Sequence, residues 1–119
     1  MTPKEFVMRL QAAVVDENYA IYRDLFMHTS IEKASDPYWK RALALYNSFS
    51  LEQKEVFFEV IHQISVDTVS NILGVIDGVN SVEGIEAELV LKYDDEEPPL
   101  SGDLQSLFLT EEEKREKMN

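Results

Sequence analysis

The chain has 119 residues, of which 45% are hydrophobic and 10% aromatic, and it contains no cysteine. That length suits one domain with a sizeable core, and the composition excludes disorder throughout, a disulfide scaffold, thiolate metal sites and cysteine nucleophiles. Eleven basic residues face 23 acidic ones, a net charge of −12, and a surface of that sign repels nucleic acid and anionic lipid, so neither is an expected partner.

The charge is unevenly spread. Residues 1–60 carry seven basic and nine acidic groups, whereas residues 61–119 carry four and fourteen. Apolar runs are too short to suggest a membrane span. The opening Met1-Thr2-Pro3-Lys4-Glu5 lacks the basic-then-apolar pattern of a signal peptide, so a cytoplasmic location is the expectation.

Thr2-Pro3-Lys4-Glu5 reads as a capping box with proline at the first helical position, where no N–H is needed. Behind it, Phe6, Val7, Leu10, Ala13 and Val14 fall on one helical stripe. The polar cluster Asp16-Glu17-Asn18 is expected to bend or interrupt this helix. Ile21 and Leu25 then continue one face and Tyr22 and Phe26 another, ending near His28-Thr29-Ser30. A solvated connection over 31–35 leads to Asp36-Pro37, a second cap followed by proline. The next helix carries Tyr38, Trp39, Ala42, Leu43, Leu45, Tyr46 and Phe49. Ser50-Leu51-Glu52-Gln53 is another capping box, opening a long periodic segment from Leu51 to about Val79. Phe57, Ile61, Ile64, Thr68, Ile72, Val75 and Val79 form its predicted inner sector, opposite Glu59, Gln63, Asp67, Ser70, Gly74 and Asp77. A helix of that span is about 40 Å long, which suggests a bend near Gly74 or a contact with a second chain.

After Asp77-Gly78 the period changes to two. Ile85, Ala87, Leu89, Leu91 and Tyr93 alternate with Glu86, Glu88, Val90, Lys92 and Asp94, the pattern of a half-buried strand. Its partner is either Asn80–Val82, Glu97–Ser101 or the same strand of another subunit. Asp94 to Pro99 reads as a turn. A last helix starts near Ser101-Gly102-Asp103, carrying Leu104, Leu107 and Phe108. The expected architecture is therefore mainly α, a small α+β fold. Three or four packed helices precede a short β strand or hairpin near 85–93 and a C-terminal helix. Residues 1–109 form the expected domain, and 110–119 a charged, mobile tail.

Candidate chemistry is sparse. Glu59 and His62 have the Glu-x-x-His spacing that puts a carboxylate and an imidazole on one helix face, as in di-iron bundles, but a second copy is missing. Asp24, His28 and Glu32 are spaced by four and would share a face if the helix continued; His28 alternatively serves the carbonyls at a helix C-terminus. Asp77 to Glu83 has calcium-loop flavour with the wrong spacing. Nucleophile-elbow, Ser-x-x-Lys and phosphate-loop patterns do not occur. No cofactor is expected. Tyr38 and Trp39, with Asp94, Asp95, Glu96 and Glu97, are the candidate partner-binding residues. The leading expectation is a non-catalytic protein–protein interaction module of inhibitor, immunity or adaptor type, a homodimer whose acidic C-terminal half takes a protein partner, a basic one in the sharper reading. The alternatives are a metal-binding helical-bundle enzyme and a small-ligand sensor with a pocket between helices.

Overall fold

The structure, a computed structural model, describes residues 1–118. Five α-helical stretches account for most of it: α1 Pro3–Leu10, α2 Glu17–His28, α3 Pro37–Asn47, α4 Leu51–Ile76 and α5 Leu104–Met118. The capping signals at Thr2, Asp36 and Ser50 act as the sequence suggests, whereas the same pattern at Thr110-Glu111-Glu112-Glu113 falls inside α5, where the Thr110 hydroxyl donates to the Ser106 carbonyl at 2.8 Å. Thr2 and Glu5 exchange reciprocal bonds, Asp36 accepts from the Tyr38 N–H at 2.8 Å, and Ser50 and Gln53 form the second box. These bonds satisfy N–H groups that a helix start leaves without partners.

No interruption occurs at Asp16-Glu17-Asn18. The chain stays helical from α1 into α2 through a π-helical segment, Gln11–Asp16. The wider turn shifts the buried face, so Val7, Gln11 and Val15 point inward while Ala13 is exposed. Helix α2 ends at His28, where the Thr29 N–H still bonds to the Leu25 carbonyl.

Helix α4 is the spine on which two hydrophobic clusters assemble. Its C-terminal half supplies Val66, Val69 and Leu73 to a cluster with Val7, Val15, Leu104 and Phe108 from α1, the π segment and α5. Its N-terminal half supplies Phe58 to a second cluster with Phe26, Leu43 and Tyr46. That second cluster is aromatic: Phe26 meets the Phe57 ring edge-on at 4.9 Å and a tilted Tyr46 ring at 5.3 Å. Edge-on contact suits rings with electron-rich faces and electron-poor edges.

The covered face of α4 differs from the predicted inner sector. Ile64 and Ile72 are 60% and 55% exposed, whereas Ser70 and Gly74, expected on the polar side, are buried. The reason is α5. Its Gln105 side chain bonds to the Ser70 carbonyl at 3.1 Å, and a carbon added at Gly74 would collide with the Asn80 side chain and lie 2.8 Å from the Gln105 amide nitrogen. Small residues admit a close neighbour, so packing on α4 follows size as well as hydropathy.

Among the described residues no β strand forms, and the strand or hairpin expected near 85–93 is not present. A strand exists only through its ladder. Of the two candidate partners within the chain, Asn80–Val82 runs into a turn, closed by the Ile85 N–H on the Val82 carbonyl with Gly84 at φ +89°. Glu97–Ser101 contains Pro98 and Pro99, which have no N–H to offer. Among the described residues, Leu91 alone of this stretch bonds through its main chain to the 97–101 segment: its carbonyl accepts from Leu100 and Ser101, and its N–H donates to the Ser101 hydroxyl at 2.9 Å.

The charged stretch from Glu111 is helical as far as it is described. Helix α5 runs through it to Met118, with Glu112 buried and Arg115 bound to Asp16; the final residue, Asn119, lies outside the described residues. The helix begins on a long-range cap. Asp77, just past the end of α4, accepts from the Gly102 N–H at 2.7 Å and the Gln105 N–H at 2.8 Å. Asp77→Ala removes both acceptors and is expected to cost about 1–2 kcal/mol, read as a lower urea midpoint at unchanged slope.

Candidate functional site

Glu59 and His62 remain on one side of α4, lining a shallow depression with Asp16, Tyr19 and Glu116. The Tyr19 ring stands edge-on to the imidazole at 5.7 Å. The nearest carboxylate to His62 is not Glu59: its Nε2 lies 3.9 Å from Oε2 of Glu112, while Glu59 is exposed. Asp24 and His28 approach to 3.9 Å on the open surface. Glu32 does not join them, because α2 stops at His28 and Glu32 falls in the separate 3₁₀ turn Ile31–Lys33. Among the described residues no three His, Asp or Glu side chains converge closely enough to hold a metal ion.

Glu112 is a site residue that the sequence reading missed. It is 4% exposed, and its Oε1 accepts from the Gln11 amide at 2.6 Å across 101 residues of chain. A signal was present, since Leu104, Phe108 and Glu112 recur every four residues and share the face that buries the first two. One turn on, Arg115 donates to both oxygens of Asp16, at 2.7 and 2.9 Å. That hydrogen bond raises the arginine pKa above its already high ordinary value. A raised cationic pKa adds stability that is lost only as pH climbs through it, so the arginine keeps its charge across the whole neutral range. Gln11, Glu112, Asp16 and Arg115 together pin the charged end of α5 to the π segment.

Trp39 packs against Tyr22 and Phe26, with ring centres 6.0 and 5.7 Å away, so it belongs to the second cluster; Tyr38 stands 60% exposed beside it. Asp94, Asp95, Glu96 and Glu97 sit in an exposed turn, with Asp94 at φ +53°. Glu96 meets the N-terminal amine at 3.4 Å and Glu97 pairs with Lys92. Asp94 and Asp95 have no such partner among the described residues.

The segment holding these acids is unusual in its backbone. Residues 79–103 carry eight acidic side chains and one basic. Between Glu86 and Val90, among the described residues, no main-chain N–H or carbonyl enters a hydrogen bond. Apolar side chains accompany this open backbone: Ile85, Val90 and Tyr93 are each about half exposed.

A cleft of about 680 Å³ lies between α2, α3 and the start of α4, floored by Phe26, Tyr46 and Phe58. Arg23 stacks on Phe58 at 4.7 Å and Lys54 on Tyr46 at 4.8 Å, so both cations are engaged with its aromatic floor. It is the place where the small-ligand alternative points. No helix among the described residues is long and apolar enough to cross a membrane. Comparison with protein-family models, curated proteins and solved structures gives no match to this chain.

Proposed function

We propose that this protein is a non-catalytic protein–protein interaction module of inhibitor, immunity or adaptor type, acting in the cytoplasm as a homodimer. The observation that carries the reading is the open backbone at 86–90. Unpaired main-chain groups on an exposed segment with strand-like alternation are a template for a strand of another protein. In an extended backbone, successive residues turn their N–H and carbonyl groups to opposite sides. Leu91 directs its own pair toward 100–101, and an extended run back from it would turn the groups of Val90 and Glu88 outward.

Charge selects the partner. Glu83, Glu86, Glu88, Asp94 and Asp95 surround this edge, and the sole basic residue of the segment, Lys92, is held by Glu97. A like-charged copy is disfavoured there, whereas a basic protein with an exposed strand edge gains both ladder bonds and ion pairs. The acidic half then speeds encounter by electrostatic steering, which salt weakens.

The test is capture from the cells that make the protein, using three forms of the chain. Wild type is expected to hold a basic protein that leaves as salt rises from about 0.05 to about 0.5 M. Val90→Pro removes one outward N–H at unchanged charge and is expected to hold about tenfold less or lower. Val90→Thr keeps the N–H and the strand preference and should hold as much as wild type. Capture that ignores both salt and the proline would contradict the reading.

A further inference from the structure

We infer that the cleft between α2, α3 and the start of α4 binds a small planar aromatic carboxylate, with Arg23 and Lys54 holding its anionic end. This site is separate from the docking edge at 86–90 and does not depend on it.

Charge in the cleft runs against the rest of the chain. Acidic residues outnumber basic ones by 23 to 11 overall, yet Arg23 and Lys54 line this cleft with a single carboxylate, Glu55. His28, at its lip, faces Asp24 at 3.9 Å. Most lysines and arginines are exposed; among the described residues only Arg23, Lys54 and Arg115 are half-buried. Arg115 has its counterion, the two oxygens of Asp16 at 2.7 and 2.9 Å. The cations of the cleft are different. Arg23 donates to the Tyr19 hydroxyl at 3.1 Å, and its other terminal nitrogen stands 3.8 Å from exposed Glu55, beyond hydrogen-bond length. Lys54 lies over the Tyr46 ring and meets no carboxylate among the described residues. Half-buried cations with open N–H donors gain from an anion that enters beside them.

Apolar surface supplies the rest of the recognition. The Tyr46 and Phe58 ring centres lie 5.6 Å apart, so both cations border one aromatic floor. On the walls of the same cleft, Leu51 is 82% exposed and Met27 49%. A flat ring laid against them takes apolar surface out of water, and the polarisable Met27 thioether suits an aromatic neighbour. The Arg23 guanidinium is planar too, and it can grip a carboxylate with two parallel N–H groups. The volume, about 680 Å³, is that of a small-molecule site. A neutral arene would leave the cations unpaired, and an aliphatic anion would forgo the ring contacts.

Repulsion from the acidic segment 79–103 is screened at this distance. Leu91 of that segment packs on the cluster at the C-terminal half of α4, whereas the cleft floor belongs to the cluster at its N-terminal half. Helix α4 has 26 residues and so is about 39 Å long, several times the screening length of about 8 Å in physiological salt.

Isothermal titration calorimetry on the full chain, with naphthoate as the probe, tests the site. Wild type is expected to bind it with a Kd of about 100 μM. Naphthalenemethanol keeps the rings without the charge, and octanoate keeps the charge without the rings; each should bind at least about tenfold more weakly. Lys54→Gln should weaken naphthoate binding about tenfold, while Lys4→Gln on α1, the same charge change outside the cleft, should match wild type. Leu51→Ala alters an exposed wall residue that the fold does not need, and should weaken binding about threefold. No heat of binding with naphthoate up to about 1 mM overturns the inference. So does equal binding of the alcohol or octanoate, or naphthoate binding indifferent to both Lys54→Gln and Leu51→Ala. Val90→Pro should bind naphthoate as wild type does, so the cleft and the docking edge stand or fall separately.

Discussion

Phe108→Ala is expected to destabilise the protein by about 3–5 kcal/mol, a large part of the total stability of a domain this size. Phe108 is 0% exposed and touches the cluster formed by α1, the π segment and α4. Truncation removes the apolar contact and leaves a cavity that rigid neighbours close only in part. Because α4 runs through both clusters, the loss should lower a single unfolding transition, by about 10–20 °C, and should not melt one end alone. Differential scanning calorimetry reads this directly. Two separated transitions in the variant would show that the aromatic cluster around Phe26 and Phe58 holds together without its neighbour.

Gln11→Leu is the second large effect, expected at about 2–3 kcal/mol. The amide of Gln11 donates to the buried carboxylate of Glu112 at 2.6 Å. Leucine fills similar space and supplies no donor, so Glu112 keeps its burial and loses its bond. Replacing both residues avoids that penalty. The double variant Gln11→Leu with Glu112→Leu should therefore recover more than half of the loss, a coupling that a double-mutant cycle in urea measures. Additive losses would mean that the pair contributes no more than its separate contacts.

Local signals were readable in the sequence where one turn of chain contains the whole interaction. Thr2 with Glu5, Asp36 with Pro37 and Ser50 with Gln53 each act within three residues, and each caps the helix that the pattern implies. Interactions between distant parts of the chain were not readable. Asp77 caps a helix whose first N–H partner lies 25 residues on, and no local spacing reveals that. The alternation at 85–93 was visible, but a ladder also needs a partner, and prolines at 98 and 99 deny it one within the chain. Periodicity found an apolar sector on α4 without showing which side α5 would cover. The helical period puts Ser70 and Gly74 opposite that sector, whereas their small size lets Gln105 of α5 approach.

The candidate site followed the same division. The Glu59–His62 spacing survives as a shared helix side, yet the imidazole turns toward Glu112, which comes from the far end of the chain. Asp24, His28 and Glu32 depended on continuous helix, and the break at Thr29 separates the third from the first two. Acidity at 94–97 was plain from composition. The open backbone beside it became visible only when every neighbouring hydrogen bond could be assigned.

Amide hydrogen exchange at Glu86 to Val90, measured on the free chain and again with the captured basic protein bound, tests the docking edge most directly. Fast exchange in the free chain, slowing about 100-fold or more at Glu88 and Val90 on binding, is the predicted result. Exchange at those two amides that stays fast in the complex would contradict it.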